Sequence, residues 1–230
     1  MKERQKKKLG WPAKILIGIA GLVFLSYLVC ACLIFALRSV DPPTTMVQIQ
    51  RQVEAALAKR KYQTHYAYVP MNRIAVDLQY AVIAAEDGRF YVHNGFDWIE
   101  IQKVMKEDKE KHRLGRGAST ITQQLVKNLF LGTERSVIKK GIEATLVPVV
   151  EFMLPKNRIL ELYLNVIEWG PGIFGAEAAS EHWYHSFAIK LSREQCARLA
   201  AIIPNPLRRV PEREGDYADE ILDRMKKMGW

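Results

Sequence analysis

Cysteine is scarce in this 230-residue chain, which contains only three. Cys30 and Cys32 lie within one long apolar run, so Cys196 is the only cysteine in the part of the chain that follows that run. An intradomain disulfide is therefore excluded there, and the stability of this part must come from a hydrophobic core. Because Cys196 falls at an apolar position of a predicted helix, we expect a small core residue rather than a nucleophile.

Two other patterns are missing. The sequence has almost no alternation of apolar and polar residues and no internal repeat, and its many helical patterns predict an all-α fold. It has no basic helix interleaved with aromatic residues, so we expect no nucleic-acid partner despite a net charge of +9. A moderately basic body suits ligands that carry phosphate, or a membrane surface. With 49% hydrophobic residues the chain can form one well-packed domain plus a small attachment.

One long hydrophobic run is present, at 15–37, and it contains no charged side chain. It is long enough to cross a bilayer. A cleavable signal peptide has a shorter apolar core, and Cys30-Ala31-Cys32 is only a weak cleavage site, so an uncleaved anchor is the better interpretation. The basic N-terminus predicts a tail in the cytoplasm and a body outside. The predicted segments are a cytoplasmic tail at 1–14, a transmembrane helix at 15–37, a polar and helical stalk at 38–65, and a folded domain at 66–230.

The densest run of small, hydroxyl, amide and basic side chains is the stretch 115–128. Within it, Thr120 followed by Gln123 is a capping-box pattern, which predicts a helix that starts near Ile121. The predicted buried stripe of this helix is Ile121, Leu125 and Leu129. The polar residues predicted to face away from the stripe are Gln123, Gln124 and Lys127. Amides, a lysine and free helix N–H groups indicate a site for an anionic, hydroxyl-rich ligand. The alternative is a solvated helix face after a flexible loop.

An apolar helix predicted over 74–86 ends on two adjacent carboxylates, Glu86 and Asp87. Charged residues seldom lie against a hydrophobic core unless they are paired or take part in function. We expect a glutamate beside apolar neighbours to have a raised pKa, which allows proton exchange near neutral pH. The residues alone leave an alternative equally open, in which both carboxylates pair with Arg89 and other cations at the surface.

A long helix is predicted over 134–154, and on it Arg135, Lys139 and Glu143 share a face at four-residue steps. The alternative to a functional site here is an exposed ladder of ion pairs, which contributes little stability. Pro148 should kink this helix unless the helix ends earlier.

Two more helices are predicted nearer the C-terminus. One covers 155–169 and stops at Gly170-Pro171-Gly172. The other opens with Ser192 and Gln195 as a second capping box and runs through Ile203.

Taken in order, these segments resemble four motifs of the family 51 peptidoglycan glycosyltransferases, most closely the monofunctional biosynthetic transglycosylases of bacteria. The resemblance covers roughly residues 68–210. The matching segments are 86–90 with His93 and Gly95, 117–124 with Lys127 and Asn128, 135–143, and 158–165. Four motifs in the family's order are far more specific than any one of them.

The resemblance implies a lysozyme-like helical fold and an enzyme that polymerises lipid II, a disaccharide-pentapeptide on undecaprenyl pyrophosphate, with inversion at the anomeric carbon. It implies a location in the bacterial inner membrane with the catalytic domain on the extracytoplasmic side. The implied partners are lipid II, the lipid-linked glycan chain and the membrane. Cell-wall synthases and division proteins are the protein partners that the resemblance suggests.

The resemblance also assigns an expected role to each matching residue. Glu86 would be the general base that takes the proton from the 4-hydroxyl of the acceptor sugar. Glu143 would be a second essential glutamate, which orients a base or holds a divalent cation such as Mg²⁺ or Mn²⁺. The residues expected to bind the pyrophosphate are Lys127, Arg135, Lys139 and Lys140. The residues expected to bind sugars or to line the cleft are Asp87, Phe90, Gly117, Ser119, Thr120, Gln123 and Gln124.

The chain departs from the family pattern in three places. Lys139-Lys140 stands where the family usually has arginine then lysine, so a bidentate phosphate contact becomes a point charge. Ile142 stands where some members carry a lysine just before the second glutamate. Pro148 leaves the geometry beyond Glu143 open.

Three other functions fit the sequence less well. A glycoside hydrolase usually needs a second carboxylate across the bond and has no use for a lysine and arginine cluster. A non-catalytic scaffold would be signalled by loss of Glu86 or Glu143, and both are present. Ser136 and Lys139 fit the S-x-x-K pattern of penicillin-binding transpeptidases, but the partner motifs Lys-Thr-Gly and Ser-Asp-Asn are absent.

Overall fold

The computed structural model describes residues 10–111, 118–134 and 136–230. The helices of these residues are α1 (Trp11–Ala36), α2 (Met46–Leu57), α3 (Val76–Glu86), α4 (Trp98–Lys111), α5 (Ile121–Val126), α6 (Val137–Met153), α7 (Lys156–Val166), α8 (Ala176–Tyr184), α9 (Arg193–Ile202) and α10 (Gly215–Lys227). A π-helix, Lys127–Leu131, continues α5. Short 3-10 turns cover Met71–Arg73, Phe90–Val92, Ala188–Lys190 and Pro211–Arg213. The predicted predominantly helical fold is confirmed.

α1 covers the predicted membrane span except its last residue, Leu37, and is long and apolar enough to cross a bilayer. Its last turns touch the rest of the molecule, because Ile34 is fully buried and the Tyr27 hydroxyl lies 2.6 Å from Oγ1 of Thr145 in α6. Arg158 in α7 continues this connection by donating hydrogen bonds to the carbonyl groups of Leu37 and Val40, just beyond α1. The C-terminal end of the apolar helix is therefore held against the body.

α2 lies in the segment predicted as a stalk, and it packs against the body. Thr45 and Gln48 form a capping box at its start, and Val47 and Ala55 are buried. The face that packs against the body carries Val47, Gln48 and Ala55, whereas the apolar stripe of Met46, Ile49, Val53 and Leu57 lies on the other side and is exposed.

The core lies where α3, α9 and α10 pack together, and it continues where α5 packs against α6 and α7. The interior of α3 is almost entirely buried, which fixes the position of its last residue, Glu86, at the edge of the core. In α9, whose predicted capping box by Ser192 and Gln195 is confirmed, Cys196 is fully buried as expected.

A small sheet of three strands accompanies the helices. Its strands are β1 (His65–Tyr66), β2 (Glu168–Gly170) and β3 (Ile173–Phe174), in the order β1-β3-β2. β3 is parallel to β1 and antiparallel to β2. The predicted helix over 155–169 is therefore too long: α7 ends at Val166, because Glu168–Gly170 form a buried strand rather than another helical turn.

α6 begins at Val137, later than predicted, because the Ser136 hydroxyl caps it by accepting the backbone N–H of Lys139. The S-x-x-K pattern is thus a helix cap. The helix does not end at Pro148 but continues to Met153, and Pro148 is exposed.

Candidate active site

Glu86 is the last residue of α3 and is partly exposed. Gln124, in α5, donates a hydrogen bond of 2.7 Å from Nε2 to Oε2 of Glu86. The other end of the same amide, Oε1, accepts a hydrogen bond of 2.9 Å from the hydroxyl of Tyr163 in α7. Burial, with the nearby charges of Glu86 and Asp87, raises the pKa of Tyr163 well above its ordinary value, so this hydroxyl stays protonated and can donate. Three helices thus hold one carboxylate in a defined position.

Asp87 lies deeper than Glu86, with only 2% of its side chain exposed. Its Oδ1 lies 2.8 Å from Nε2 of His93, and its Oδ2 accepts the backbone N–H of Ile121 at 3.0 Å. Nδ1 of His93 accepts the N–H of Gly95 at 3.1 Å, so Nε2 carries the proton that is donated to Asp87. Asp87 therefore joins the end of α3 to the start of α5. For this carboxylate, the alternative of a surface ion pair is wrong, because both oxygens are engaged in the interior.

The predicted capping box at the start of α5 is confirmed. Oγ1 of Thr120 accepts the N–H of Gln123 at 3.2 Å, and Oε1 of Gln123 accepts the N–H of Thr120 at 3.1 Å. The prediction that Gln123 faces away from the buried side is wrong, because Gln123 is buried and its Nε2 donates a hydrogen bond of 3.0 Å to Oε1 of Glu143. The capping bond holds one end of the amide at the helix start, which leaves the other end to meet α6.

Glu143 lies in α6 with 7% of its side chain exposed, and it also accepts a hydrogen bond of 2.6 Å from Nζ of Lys140. A cavity of about 570 Å³, which we call the cation cavity, is bounded by this pair. The predicted site residues that line it are Ser119, Lys127, Lys139, Lys140 and Glu143. Three lysines around one cavity favour a ligand that carries phosphate.

A second cavity, of about 180 Å³, meets the cation cavity at Ser119, which lines both. We call it the glutamate cavity, because Glu86 and Glu100 line it together with Arg89. The guanidinium group of Arg89 pairs with Asp97 at 3.1 Å. The structure thus places a partly exposed carboxylate and a cluster of lysines in adjoining cavities.

Comparison with known proteins decides the family. A family model described as transglycosylase matches residues 52–228, which is most of the chain. The chain belongs to the transglycosylase family. The resemblance drawn from the four motifs is thereby confirmed, as are the predicted enzyme and the helical fold of that family.

Individual relatives of this transglycosylase agree with the assignment, and each is named biosynthetic peptidoglycan transglycosylase. The protein of Dechloromonas aromatica is 43% identical over 196 residues, which cover 85% of each chain. The protein of Thiobacillus denitrificans is 49% identical over 166 residues, or 72% of each chain. The protein of Chromohalobacter salexigens is 41% identical over 219 residues, which cover 94% of this chain and 92% of that one.

Some predicted site residues of the transglycosylase lie elsewhere than expected. Phe90 lines neither of the two cavities: its side chain is fully buried, with Nζ of Lys156 4.5 Å from the ring centroid. A large aromatic ring next to a short turn is more stable in the core than along a polar cleft. Gly117 and Arg135 are outside the described residues, so the predictions made for them stay predictions.

Two residues of the site were not singled out by sequence reasoning. Tyr163 reads as one more apolar position of α7, and His93 appears only as part of a motif. The available signal for both is a polar group at an inward-facing position, since a buried hydroxyl or imidazole needs a hydrogen-bond partner.

Proposed function

We propose that this transglycosylase polymerises lipid II into β-1,4 glycan strands, with inversion at the anomeric carbon and release of undecaprenyl pyrophosphate, in the synthesis of the bacterial cell wall. The observation that carries the proposal is the meeting of the glutamate cavity and the cation cavity at Ser119. One cavity offers a proton acceptor and the other offers positive charge, which are the two requirements of a transfer from a diphosphate donor. The names of the relatives support the same reaction class.

In the proposed reaction, Glu86 takes the proton from the 4-hydroxyl of the acceptor sugar. The oxygen forms a bond to the anomeric carbon of the donor, and the bond from that carbon to the pyrophosphate breaks, with its electron pair leaving on the pyrophosphate. Attack from the face opposite the leaving group inverts the configuration. A general base in position typically accelerates such a step by about 10²–10⁴-fold. Gln124 holds the Glu86 carboxylate in place through its 2.7 Å hydrogen bond.

The leaving pyrophosphate gains negative charge, and Lys127, Lys139 and Lys140 of the cation cavity would stabilise it. Arg135, which is outside the described residues, is proposed to contribute a further positive charge. Ser119, which lines both cavities, would contact sugar hydroxyls there, whereas the amide of Gln123 already bonds Glu143 and would act through it.

A divalent cation fits this site only in part. Within residues 10–111, 118–134 and 136–230 no group of three or more His, Cys, Asp or Glu side chains could hold a metal. Glu143 is a single buried carboxylate that already accepts hydrogen bonds from Gln123 and Lys140. An Mg²⁺ or Mn²⁺ ion would therefore take most of its oxygen ligands from the pyrophosphate and water, and would neutralise charge there.

The membrane placement is part of the same proposal. α1 is compatible with a single-pass anchor, and we propose a cytoplasmic tail at 1–14 and an extracytoplasmic catalytic domain. Val137 lines the cation cavity and is exposed, as are its neighbour Ile138 and Trp98 in α4. Such a surface would meet the bilayer in which a lipid-linked substrate resides. Cell-wall synthases and division proteins remain proposed partners on the resemblance alone.

The test is incubation of the detergent-solubilised full chain with labelled lipid II, with and without a divalent ion. Wild type should form a polymer that a muramidase digests, and Glu86→Gln should form none. Glu194→Gln is the matched control, because Glu194 is an exposed carboxylate in α9 that pairs only with Arg198 among the described contacts. If the wild-type protein shortens added glycan strands and makes no polymer, the enzyme is lytic. If Glu86→Gln still polymerises lipid II, Glu86 is not the base.

A further inference from the structure

Gln50, in α2, forms hydrogen bonds to the loop at Gly132 and Thr133, which lines the cation cavity. Oε1 of Gln50 accepts the backbone N–H of Thr133 at 2.7 Å, and Nε2 of Gln50 donates to Oγ1 of Thr133 at 3.0 Å. The same Nε2 donates to Oε1 of Glu54 at 2.6 Å, which holds the amide from the helix side. The amide thus clamps one residue of the loop by its main chain and its side chain together.

The neighbouring residue, Gly132, shows how close this contact is. Gly132 has a φ of +76°, and a Cβ atom added to it would lie 2.4 Å from Oε1 of Gln50. Its N–H donates to the carbonyl of Lys127 at 2.9 Å, closing the π-helix. Only glycine fits this backbone conformation and this close approach without strain. The clamp therefore reaches the main chain that carries Lys127.

α2 is held against the sheet by an ion pair, so Gln50 lies on a helix whose position is fixed. Arg51, the next residue of α2, donates from Nε and Nη2 to Oε2 of Glu168, both at 3.0 Å. Glu168 lies in β2 with 5% of its side chain exposed. An arginine that donates two hydrogen bonds to one buried carboxylate fixes the orientation of the helix against the sheet.

The clamped loop is part of the cation cavity. Gly132 and Thr133 line the cavity together with Lys127, and the loop leads to the start of α6, where Lys139 and Lys140 lie. Lys127 precedes this loop, and Lys139 and Lys140 follow it. A contact that holds Gly132 and Thr133 therefore limits how far this wall of the cavity can move relative to the lysines.

We propose that Gln50 is a positioning residue for the pyrophosphate subsite: it clamps the loop at Gly132 and Thr133 and so keeps Lys127, Lys139 and Lys140 arranged for a diphosphate. This inference rests on the proposed function and adds to it a residue that lies before the matched family region, which begins at residue 52. Gln50 touches no substrate, and its effect is exerted through the loop.

The test uses the full chain in detergent and measures binding of undecaprenyl pyrophosphate, together with kcat and KM for lipid II. In Gln50→Ala the clamp is lost, and the Kd for undecaprenyl pyrophosphate should rise about threefold to tenfold, with KM rising more than kcat falls. Gln52→Ala is the matched control, because Gln52 lies in the same helix and also bonds a threonine hydroxyl, that of Thr64 at 3.3 Å, but lines none of the site. It should bind as wild type does.

Thr133→Val provides a second variant, since it removes only the hydroxyl and keeps the shape and the backbone N–H. Its Kd should rise by less than that of Gln50→Ala, and the double variant should bind no more weakly than Gln50→Ala alone, because both changes break the same clamp. If Gln50→Ala does not fold, a raised Kd in Thr133→Val supports the proposal and a wild-type Kd overturns it.

The outcomes separate the two proposals. Wild-type affinity in Gln50→Ala, or equal weakening in Gln50→Ala and Gln52→Ala, overturns the positioning role even if the wild-type enzyme polymerises lipid II. Binding of undecaprenyl pyrophosphate by a wild-type protein that makes no polymer overturns the proposed reaction, while the ratio of Kd values still decides the role of Gln50.

Discussion

Gln124 donates a hydrogen bond of 2.7 Å to Glu86, and the direction of that bond is set from behind by a buried tyrosine hydroxyl. An amide has two different ends, and rotation by half a turn would present Oε1 instead of Nε2 to the carboxylate. Tyr163 prevents this, because its hydroxyl donates to Oε1. The ionised form of Glu86 is thereby given a donor rather than a second acceptor.

Replacing Tyr163 by phenylalanine should lower kcat/KM about threefold to tenfold while the protein stays folded, because the ring keeps its packing and Gln124 loses its orienting donor. Tyr184→Phe is the control: the Tyr184 hydroxyl is buried without a hydrogen-bond partner in the described part of the chain, so this variant should match wild type. Equal kcat/KM values for all three proteins would contradict the role of Tyr163.

Replacing Lys140 by methionine should raise KM for lipid II about tenfold, because the cation cavity loses one charge and Glu143 loses the 2.6 Å hydrogen bond from Nζ. The dependence of KM on salt concentration should also become less steep, as fewer cations contact the pyrophosphate. Initial rates at several salt concentrations provide the measurement, and the exposed Lys190, in a 3-10 turn far along the chain, provides the control Lys190→Met. An unchanged KM would place Lys140 outside the subsite.

Two glycines should respond in opposite directions to the same substitution. Gly95 has a φ of +87°, and a Cβ atom there would lie 2.4 Å from Cγ1 of Val147. Gly95→Ala should therefore cost about 2–3 kcal/mol of unfolding free energy, or roughly 4–10 °C in Tm. Gly141 lies within α6 with nothing within 4 Å of an added Cβ, so Gly141→Ala should stabilise the protein by about 0.5–1 kcal/mol. Thermal unfolding followed by circular dichroism measures the Tm of both variants and of wild type. Equal Tm values for Gly95→Ala and Gly141→Ala would refute the predicted contrast.

Cys196 should resist alkylation as long as the protein is folded. Burial raises the pKa of its thiol to about 12, so almost none is thiolate at pH 8, and no reagent can reach it. The folded pKa lies above the unfolded value of about 8.5, so its contribution to stability is complete below pH 8.5 and is lost as pH rises towards 12. Mass spectrometry of the Cys196 peptide after iodoacetamide treatment, with and without urea, measures the labelling. Equal labelling in both conditions would show that this thiol is accessible.

Several features of the fold follow from residues close together in the chain. The capping boxes at Thr120 and Ser192 are predictable because each joins groups three residues apart, and the apolar run at 15–37 needs only its own length and composition. The carboxylate of Glu86 at the end of an apolar helix is visible for the same reason. These interactions depend on local geometry, which the residue types largely specify.

The end of α7 shows where such local reasoning fails. Residues 167–170 continue an apolar pattern that suits a helix or a buried strand equally, and pairing with Ile173 and Phe174 selects the strand. Gln123 fails in a similar way, because its partner Glu143 is on another helix. Periodicity describes which side of a helix is apolar but not which polar group a neighbouring helix offers.

For this transglycosylase, the order of motifs was sufficient to predict the family and the two candidate glutamates, and the apolar run at 15–37 was sufficient to predict an anchor. All of these are properties of residues read along the chain. The orientation of Gln124 by Tyr163, the buried bridge from Asp87 to Ile121 and the clamp of Gln50 on Thr133 depend on the folded molecule. Each of these hydrogen bonds joins residues far apart in the chain, so it forms only when α2, α3, α5 and α7 pack together. Packing buries these polar groups, and a buried polar group without a hydrogen-bond partner is costly, so the folded structure selects the partner of each.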